Sequence, residues 1–233
     1  MNVFLSMLPK RPLESFLIMI LGLTALAVPF PVRGEKWVMP NRLRHQQKVG
    51  QMNEVSKGVF IVADPRIVDP NFSQTVILML QHDDEGSLGL IVNRPSDTPL
   101  SQLIPKAKTD IALTDTLYVG GPVMGGTLTV LFRSILPPEH LSPIFGQVYA
   151  SQEARVFAEK LESPGFQKDF RLFSGYAGWH PNQLREEIDR GDWRIVKADA
   201  EVIFDSPSES IWQEVFNRTQ ERRVQASAIL IDS

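Results

Sequence analysis

The sequence predicts a mixed domain of the α/β or α+β class, with a β-rich centre and helices packed on it. Short runs of strand length are either apolar throughout or alternate polar and apolar residues. Runs with helical periodicity and recognisable cap residues lie between and after them. With 43% apolar and 22% charged residues over 233 positions, the composition is that of an ordinary globular protein.

The predicted strands begin at residue 58 and differ in how they are covered. "TVILMLQ", 75–81, is apolar throughout, as in a strand buried on both faces. "DFRLFSG", 169–175, alternates polar and apolar residues, which indicates one covered face. "HDDEGS", 82–87, predicts a longer hairpin loop between the second and third strands. The remaining strands are predicted at 58–63, 88–93, 116–123, 127–134 and 192–199.

Capping residues and glycines indicate where the helices begin and end. "HPNQLREEIDR", 180–190, places Pro181 at the first helical position and Gly191 just beyond the end. "GYAGW", 175–179, predicts a turn ahead of this helix, because glycine can adopt positive φ. Further helices are predicted at 98–105, 151–163 and 207–223, the last burying Ile211, Trp212, Val215 and Phe216.

The N-terminal residues form a segment separate from the folded domain. Lys10 and Arg11 precede an apolar run, and Ala25-Leu26-Ala27 fits a signal-peptidase site. Residues 1–27 are therefore predicted to be a signal peptide or a membrane anchor. The predicted location is then periplasmic or membrane-anchored, with a possible tether to the membrane through this segment.

An alternative is that translation starts later, at Met39 or Met52, which would make the protein cytoplasmic. Residues 28–57, rich in Pro, Gln and charged side chains, are predicted to be a linker. The domain itself is predicted to span 58–233.

Composition excludes several classes of chemistry. Without cysteine the chain can form no disulfide, thiolate nucleophile or Cys-based zinc site. A net charge of −3 offers no broad basic surface, so direct nucleic-acid binding is disfavoured. "HDDE", 82–85, could hold a divalent ion, but an exposed hairpin tip is the favoured reading. No metal, cofactor or catalytic residue is predicted.

Several motifs, in this order, resemble the bacterial YqgE/AlgH family. They are "GVFIVADPRIVDPNFSQTVILMLQHDDEGSLGLIVNRP", "YVGGPV" and "SGYAGWHPNQLREEIDRGDWRIVKADAEVIFDSP", and together they span about 58–215. The resemblance implies a compact α/β domain with a β-barrel-like centre and flanking helices. It also brings the label of transcriptional regulator, without an established reaction. The chain departs from the usual family pattern in "VMGGTLTVLF", 123–132, and in the residues ahead of the first strand.

The turns rich in polar residues or glycine supply candidate binding residues. Arg94 could bind a carboxylate or phosphate through its planar fork, or could pair with nearby carbonyls as scaffold. Trp179 could anchor a ligand or lie in the core, and Gln183 and Glu187 follow it at i+4 and i+8. We predict that one surface cleft is bordered by these candidate ligand-binding residues: Asn93, Arg94, Gly120, Gly121, Pro122, Trp179 and Gln183.

Three classes of function remain open on the sequence alone. A module that binds a small molecule or a protein, with an indirect regulatory role, is favoured over an enzyme. A regulator that contacts DNA directly is the third class. No helix-turn-helix pattern supports it, and the basic residues near 218–223 include Glu221.

Overall fold

A computed structural model describes residues 54–103, 116–161 and 168–231, except for the side chains of 159–161 and 222–231. These residues belong to one compact unit, Gln47–Ser233. The predicted signal or anchor, 1–27, and almost all of the predicted linker, 28–57, lie outside the described residues. Those two boundaries therefore stay predictions.

The described residues form a nine-stranded sheet with the order β4-β5-β8-β3-β2-β1-β9. β6 pairs with β8, and β7 pairs with β6. The β5–β8 pair is parallel and the other strand pairs are antiparallel. The strands are β1 Val59–Ala63, β2 Val76–Asp83, β3 Gly86–Ile91, β4 Pro95–Pro99, β5 Thr116–Val119, β6 Val123–Arg133, β7 Val148–Ser151, β8 Phe170–Trp179 and β9 Trp193–Lys197.

The mixed α/β class is confirmed, and within the described part of the chain the sheet is open. β4 and β9 lie at the two ends of the strand order and do not pair with each other. The centre of the described part is therefore a branched, open sheet and not a closed barrel. The helices are α1 Leu100–Leu103, α2 Ala154–Leu161, α3 Gln183–Asp189, α4 Ala200–Phe204 and α5 Ser208–Ile231.

Helices cover the sheet through three groups of buried side chains. The largest group joins β1, β2 and β8 to α4 and α5, with Ile211, Val215 and Phe216 buried as predicted. Trp212, also predicted to be buried, is only partly buried and packs against this group. A second group lies under α1 and α2, and a third lies under α3. Val76–Leu80 of β2 are all buried, which confirms that this strand is covered on both faces. None of the described helices is long and apolar enough to cross a bilayer.

Residues 175–179 continue β8 and do not form the predicted turn. Gly175 has φ 71 and shifts the side-chain alternation without ending the strand. Gly178 keeps ordinary backbone angles in the strand. The helix that follows begins at Gln183, because Asn182 has φ 67 and interrupts it after Pro181. Gly191 lies just past the helix with φ 81, as predicted.

The hairpin between β2 and β3 is tighter than predicted, since His82 pairs with Ser87 and Asp83 with Gly86. Thr98 and Pro99, predicted to begin a helix, end β4 instead. Three short elements, β4, β7 and α4, were not predicted, because each is too short for its periodicity to stand out.

Candidate functional site

Arg94 follows β3 and binds the loop that precedes β2. Its Nη1 donates to the carbonyl of Pro70 at 2.6 Å, and its Nη2 donates to the carbonyl of Ser73 at 2.9 Å. Burial lowers the pKa of the Arg94 guanidinium from its usual value, while the nearby Asp69 partly opposes that effect. These contacts are those of the scaffold alternative, since both hydrogen bonds go to main-chain oxygens.

Asn93 holds the same loop from the neighbouring position. Its Oδ1 accepts a hydrogen bond from the Val76 N–H at 2.9 Å, and its Nδ2 donates to the carbonyl of Gln74 at 2.9 Å. The amide therefore substitutes for a strand partner where β2 begins.

The turn Gly120–Pro122 packs directly against the backbone of β8. Gly120 N–H donates to the carbonyl of Ser174 at 2.9 Å. A Cβ on Gly121 would lie 2.1 Å from the carbonyl carbon of Tyr176, so no other residue fits there. Pro122 is exposed. The two glycines therefore form a sharp turn that lies directly beside another backbone segment.

Trp179 lies in a buried polar group that we call the Glu187 cluster: Trp179, Gln183, Glu187 and Trp193. The indole N–H groups of Trp179 and Trp193 each donate to Oε2 of Glu187 at 2.8 Å. Gln183 Nε2 donates to Oε1 of Glu187 at 3.0 Å, and its Oε1 accepts from the His180 N–H at 3.1 Å. The carboxylate and the two indoles are buried, so the cluster fastens α3 to β8 and β9.

The loop ahead of β2 connects the two ends of the predicted cleft. The Phe72 ring lies 5.8 Å from the Trp193 ring and 6.5 Å from the Trp179 ring, centroid to centroid. The next residue, Ser73, accepts the hydrogen bond from Arg94. Arg94 and Trp179 therefore meet one loop, but their polar atoms bind protein groups. That the candidate residues border one ligand cleft stays a prediction.

Outside these residues, the sheet exposes a group of apolar side chains that we call the apolar row: Val119, Leu128 and Met124. Val119 of β5 and Leu128 of β6 both lie in register with Ser174 of β8. They are 40% and 46% exposed, and Met124 is 59% exposed. Ser174 Oγ donates to the carbonyl of Gly125, which holds the segment after Met124 beside the row.

The apolar row continues a face that is otherwise buried. Along β6, Val130 and Phe132 share a face with Leu128, and along β8, Leu172 shares a face with Ser174. Val130, Phe132 and Leu172 belong to the group of side chains covered by α1 and α2. One face of the sheet is therefore covered by α1 and α2 at Val130, Phe132 and Leu172, and it is exposed at Val119 and Leu128.

The hairpin tip offers the nearest approach to a catalytic pair. His82 Nδ1 and Ser87 Oγ lie 2.7 Å apart across β2 and β3. Burial lowers the pKa of His82, which Asp83 and Asp84 partly oppose. Ser87 is buried, so the contact serves to pair the strands. In the ranges that the structure describes, no group of three His, Cys, Asp or Glu residues is placed to hold a metal ion.

The i+4 and i+8 spacing predicted that Gln183 and Glu187 lie near Trp179, but the sequence analysis did not include Trp193 in the group. A second tryptophan close after the helix was the available signal for a shared acceptor. It also missed the apolar row, because alternation along a strand tells which residues share a face but not whether that face is covered.

Comparison with known proteins places the chain by sequence. The profile of the AlgH-like family matches residues 60–223. A UPF0301 protein from Streptomyces avermitilis is 32% identical over 180 residues, which cover 72% of this chain and 89% of that protein. A UPF0301 protein from Ralstonia nicotianae is 35% identical over 154 residues, covering 64% of this chain and 80% of that protein.

Solved structures share the fold. The solution structure of the AlgH protein from Pseudomonas aeruginosa is similar with a TM-score of 0.53 and 29% identity, over 80% of this chain and 93% of that one. The crystal structure of protein DIP2367 from Corynebacterium diphtheriae is similar with a TM-score of 0.61 and 24% identity, over 72% of this chain and 90% of that one.

Proposed function

The chain belongs to the AlgH-like family, and the names of its UPF0301 relatives state no activity. From the surface of the structure, we propose that it is a protein-binding module. The apolar row is the contact surface, and its exposure is the observation that carries the proposal. Single exposed apolar residues are ordinary, whereas neighbouring ones on a rigid sheet are typical of interaction sites.

The energetics of the row support a specific partner. Burying apolar surface contributes roughly 25 cal/mol per Å², so covering the three side chains would contribute a few kcal/mol. Val119 and Leu128 are fixed by the pairing of their strands on both sides of Ser174, whereas Met124 lies in the bulge of β6 between Val123 and Leu128. Little side-chain ordering is therefore needed on binding, since Val119 and Leu128 have few rotatable bonds.

A small-molecule partner is supported less well. Small-molecule sites combine apolar walls with a few converging polar groups that are free to bind the ligand. The polar atoms of Asn93, Arg94 and Gln183 that we describe are engaged by loop carbonyls, a main-chain N–H or Glu187. A ligand in the predicted cleft would have to displace these hydrogen bonds before it could bind to the same polar atoms.

We propose in addition that the protein has an indirect regulatory role, in which it does not contact DNA itself. A net charge of −3 gives little attraction to phosphates, and a protein partner could carry the regulatory effect instead. Retention on immobilised DNA that falls steeply with salt would contradict this part of the proposal.

We also propose that the chain is exported or membrane-anchored through residues 1–27. The support is the order of basic, apolar and small residues in that segment. Mass spectrometry of the N-terminus and fractionation of the cells test it. A soluble protein that begins at Met1, Met39 or Met52 would contradict export.

Site-specific photocross-linking tests the protein-binding function. A benzophenone amino acid is placed in the full chain at Leu128 or Val119, and at Glu209 as the control. Glu209 is exposed on α5, which packs on other side chains of the sheet. We expect cross-links to the same protein from Leu128 and Val119 and their loss when the other row position is changed to Glu. Identical products from Glu209, or none from the row, would contradict the proposal.

A further inference from the structure

We propose that the thioether of Met124 is a modification site, at which a hydroperoxide forms methionine sulfoxide and so switches off binding at the apolar row. The inference rests on the proposed function and states how that surface is regulated. Methionine sulfoxide is polar and is reduced back to methionine by dedicated reductases, so its formation is a reversible switch for an interface that contains methionine.

Met124 lies in a bulge of β6, and its side chain is open to solvent. Four residues of β6, 124–127, lie opposite the single residue Gly175 of β8, because the register of the two strands shifts there. A bulge of this kind aims a side chain away from the regular alternation of the strand. The side chain of Met124 is 59% exposed, which gives a dissolved oxidant access to its sulfur.

The backbone at Met124 indicates that its side chain serves the surface and not the fold. Met124 has φ 48, in the left-handed region, where glycine is favoured over residues that carry a Cβ. Glycine would relieve the strain, yet the chain keeps a long apolar side chain there and places glycines at the next two positions. Strain kept at one position points to a function of its side chain.

The segment that follows Met124 is uncrowded but attached to the sheet. A Cβ added to Gly125 or Gly126 would meet nothing within 4 Å. Ser174 Oγ donates to the carbonyl of Gly125 and so holds the bulge on β8. An oxidant can therefore approach the sulfur from solvent, while the bulge keeps Met124 beside the rest of the apolar row.

Met79 provides a comparison within the same chain, since it is the other methionine in the described ranges. It lies in β2 with 0% exposure and belongs to the buried group under α3. Oxidation of methionine follows exposure, so the two thioethers should differ strongly in rate while the chain is folded. Unfolding removes the difference in exposure and, with it, the difference in rate.

The reaction transfers one oxygen atom from the hydroperoxide to sulfur. A lone pair on the sulfur attacks the terminal oxygen, and the S–O bond forms as the O–O bond breaks. The proton on the transferred oxygen passes to the other oxygen, which leaves as water or an alcohol, so sulfur is oxidised and the peroxide reduced. A partner that covers the apolar row would then have to bury a polar sulfoxide.

Peptide mass spectrometry of the full chain after treatment with hydrogen peroxide tests the modification site. We expect Met124 to be oxidised roughly tenfold faster than Met79 in the folded chain, and at about the same rate in urea. Methionine sulfoxide reductases for both epimers should restore Met124. Equal rates at Met124 and Met79 in the folded chain would overturn the site.

Photocross-linking from Leu128 tests the switch. The purified chain is oxidised, freed of peroxide and then added to a cell extract. We expect the yield of the cross-linked product to fall roughly tenfold, because a polar group is buried without a partner, and to recover after treatment with the reductases. Met124→Leu removes the oxidisable sulfur, so the yield from that chain, whatever its starting value, should be the same before and after peroxide.

The outcomes separate the switch from the proposed function. If the Leu128 cross-link persists after Met124 is fully oxidised, or if peroxide abolishes it in the Met124→Leu chain as well, the switch falls and the proposed function stands. If neither Leu128 nor Val119 forms a cross-link before oxidation, the proposed function falls and the switch falls with it. The rates at Met124 and Met79 still decide whether Met124 is the modification site.

Discussion

Trp179 and Trp193 meet edge to face, with ring centroids 6.0 Å apart and an angle of 85° between the rings, and both donate to one oxygen of Glu187. Three donors converge on this buried carboxylate when Gln183 is included. Since each donor would be left unpaired without it, the stability of α3 on the sheet depends on Glu187.

Glu187→Gln tests that dependence. Glutamine keeps the shape but replaces one accepting oxygen with an amide donor, which would face an indole or amide N–H. We expect the free energy of unfolding to fall by about 1–3 kcal/mol, measured by urea denaturation. Glu186→Gln, on the exposed side of the same helix, should stay within about 0.5 kcal/mol of the parent. Equal stability of both variants would show that the cluster tolerates unpaired donors.

Arg94→Lys distinguishes scaffold from ligand contact. Lysine cannot reach the carbonyls of Pro70 and Ser73 with the same planar pair of donors. We expect a loss of about 1–2 kcal/mol in unfolding free energy, seen as a lower melting temperature. Arg185→Lys, at an exposed position of α3, is the control and should change little. An unchanged melting temperature for Arg94→Lys would contradict the scaffold role and favour Arg94 as a ligand contact.

Asp64 predicts how stability depends on pH. Burial alone would raise the pKa of this carboxyl, but hydrogen bonds from Arg66 at 2.7 Å and Arg194 at 2.9 Å lower the pKa to about 2. Because the pKa is lower in the folded chain, the contribution is complete above about pH 4, the unfolded value. It is lost as the pH falls towards 2.

We expect this contribution to be roughly 1–2 kcal/mol, reduced by the exposure of Arg66. Denaturation of the parent and of Asp64→Asn at pH 7, 4 and 2 measures it. The difference between the two chains should be largest at pH 7 and shrink below pH 4. A constant difference would mean that the charge of Asp64 contributes nothing.

Gly121→Ala should be among the most harmful single changes in the chain. The new Cβ would lie 2.1 Å from a backbone carbon of Tyr176, so β5, β8 or the turn would have to move. We expect a loss of at least about 3 kcal/mol or failure to fold, judged by circular dichroism and melting temperature. Gly126→Ala, whose Cβ meets nothing within 4 Å, is the matched control and should melt at the parent temperature or slightly above it. Equal melting of both variants would contradict the close approach.

The strands were predictable where the pattern was strong and local. β2 was recognised because five successive residues are apolar, and α5 because its buried residues recur with helical spacing. The prediction ended β8 too early, because the glycines after Ser174 were taken to indicate a turn. Glycine also occurs inside strands, where the strand bulges or another backbone approaches closely. Only the neighbouring turn at Gly121, far away in sequence, explains Gly175.

The candidate residues were only partly interpretable from sequence. Polar residues in turns were recognised as important, but sequence could not tell whether Arg94 faces a ligand or a carbonyl from a loop 24 residues away. The apolar row depends on the register of β5, β6 and β8, which is a property of long-range pairing. No local pattern contains that information.

The position of β8 in the sheet has a consequence for how the chain acquires its fold during synthesis. β8 pairs with β3, β5 and β6, so the strands made earlier are joined through a strand that is made late. At about 5–20 residues per second, the ribosome takes several seconds to add the residues between β3 and β8. Throughout that interval the edge of β3 that later pairs with β8 is unpaired. Nascent chains that end before Phe170 should therefore be cleaved rapidly by proteases, and resistance should arise abruptly once Trp193 has left the ribosome.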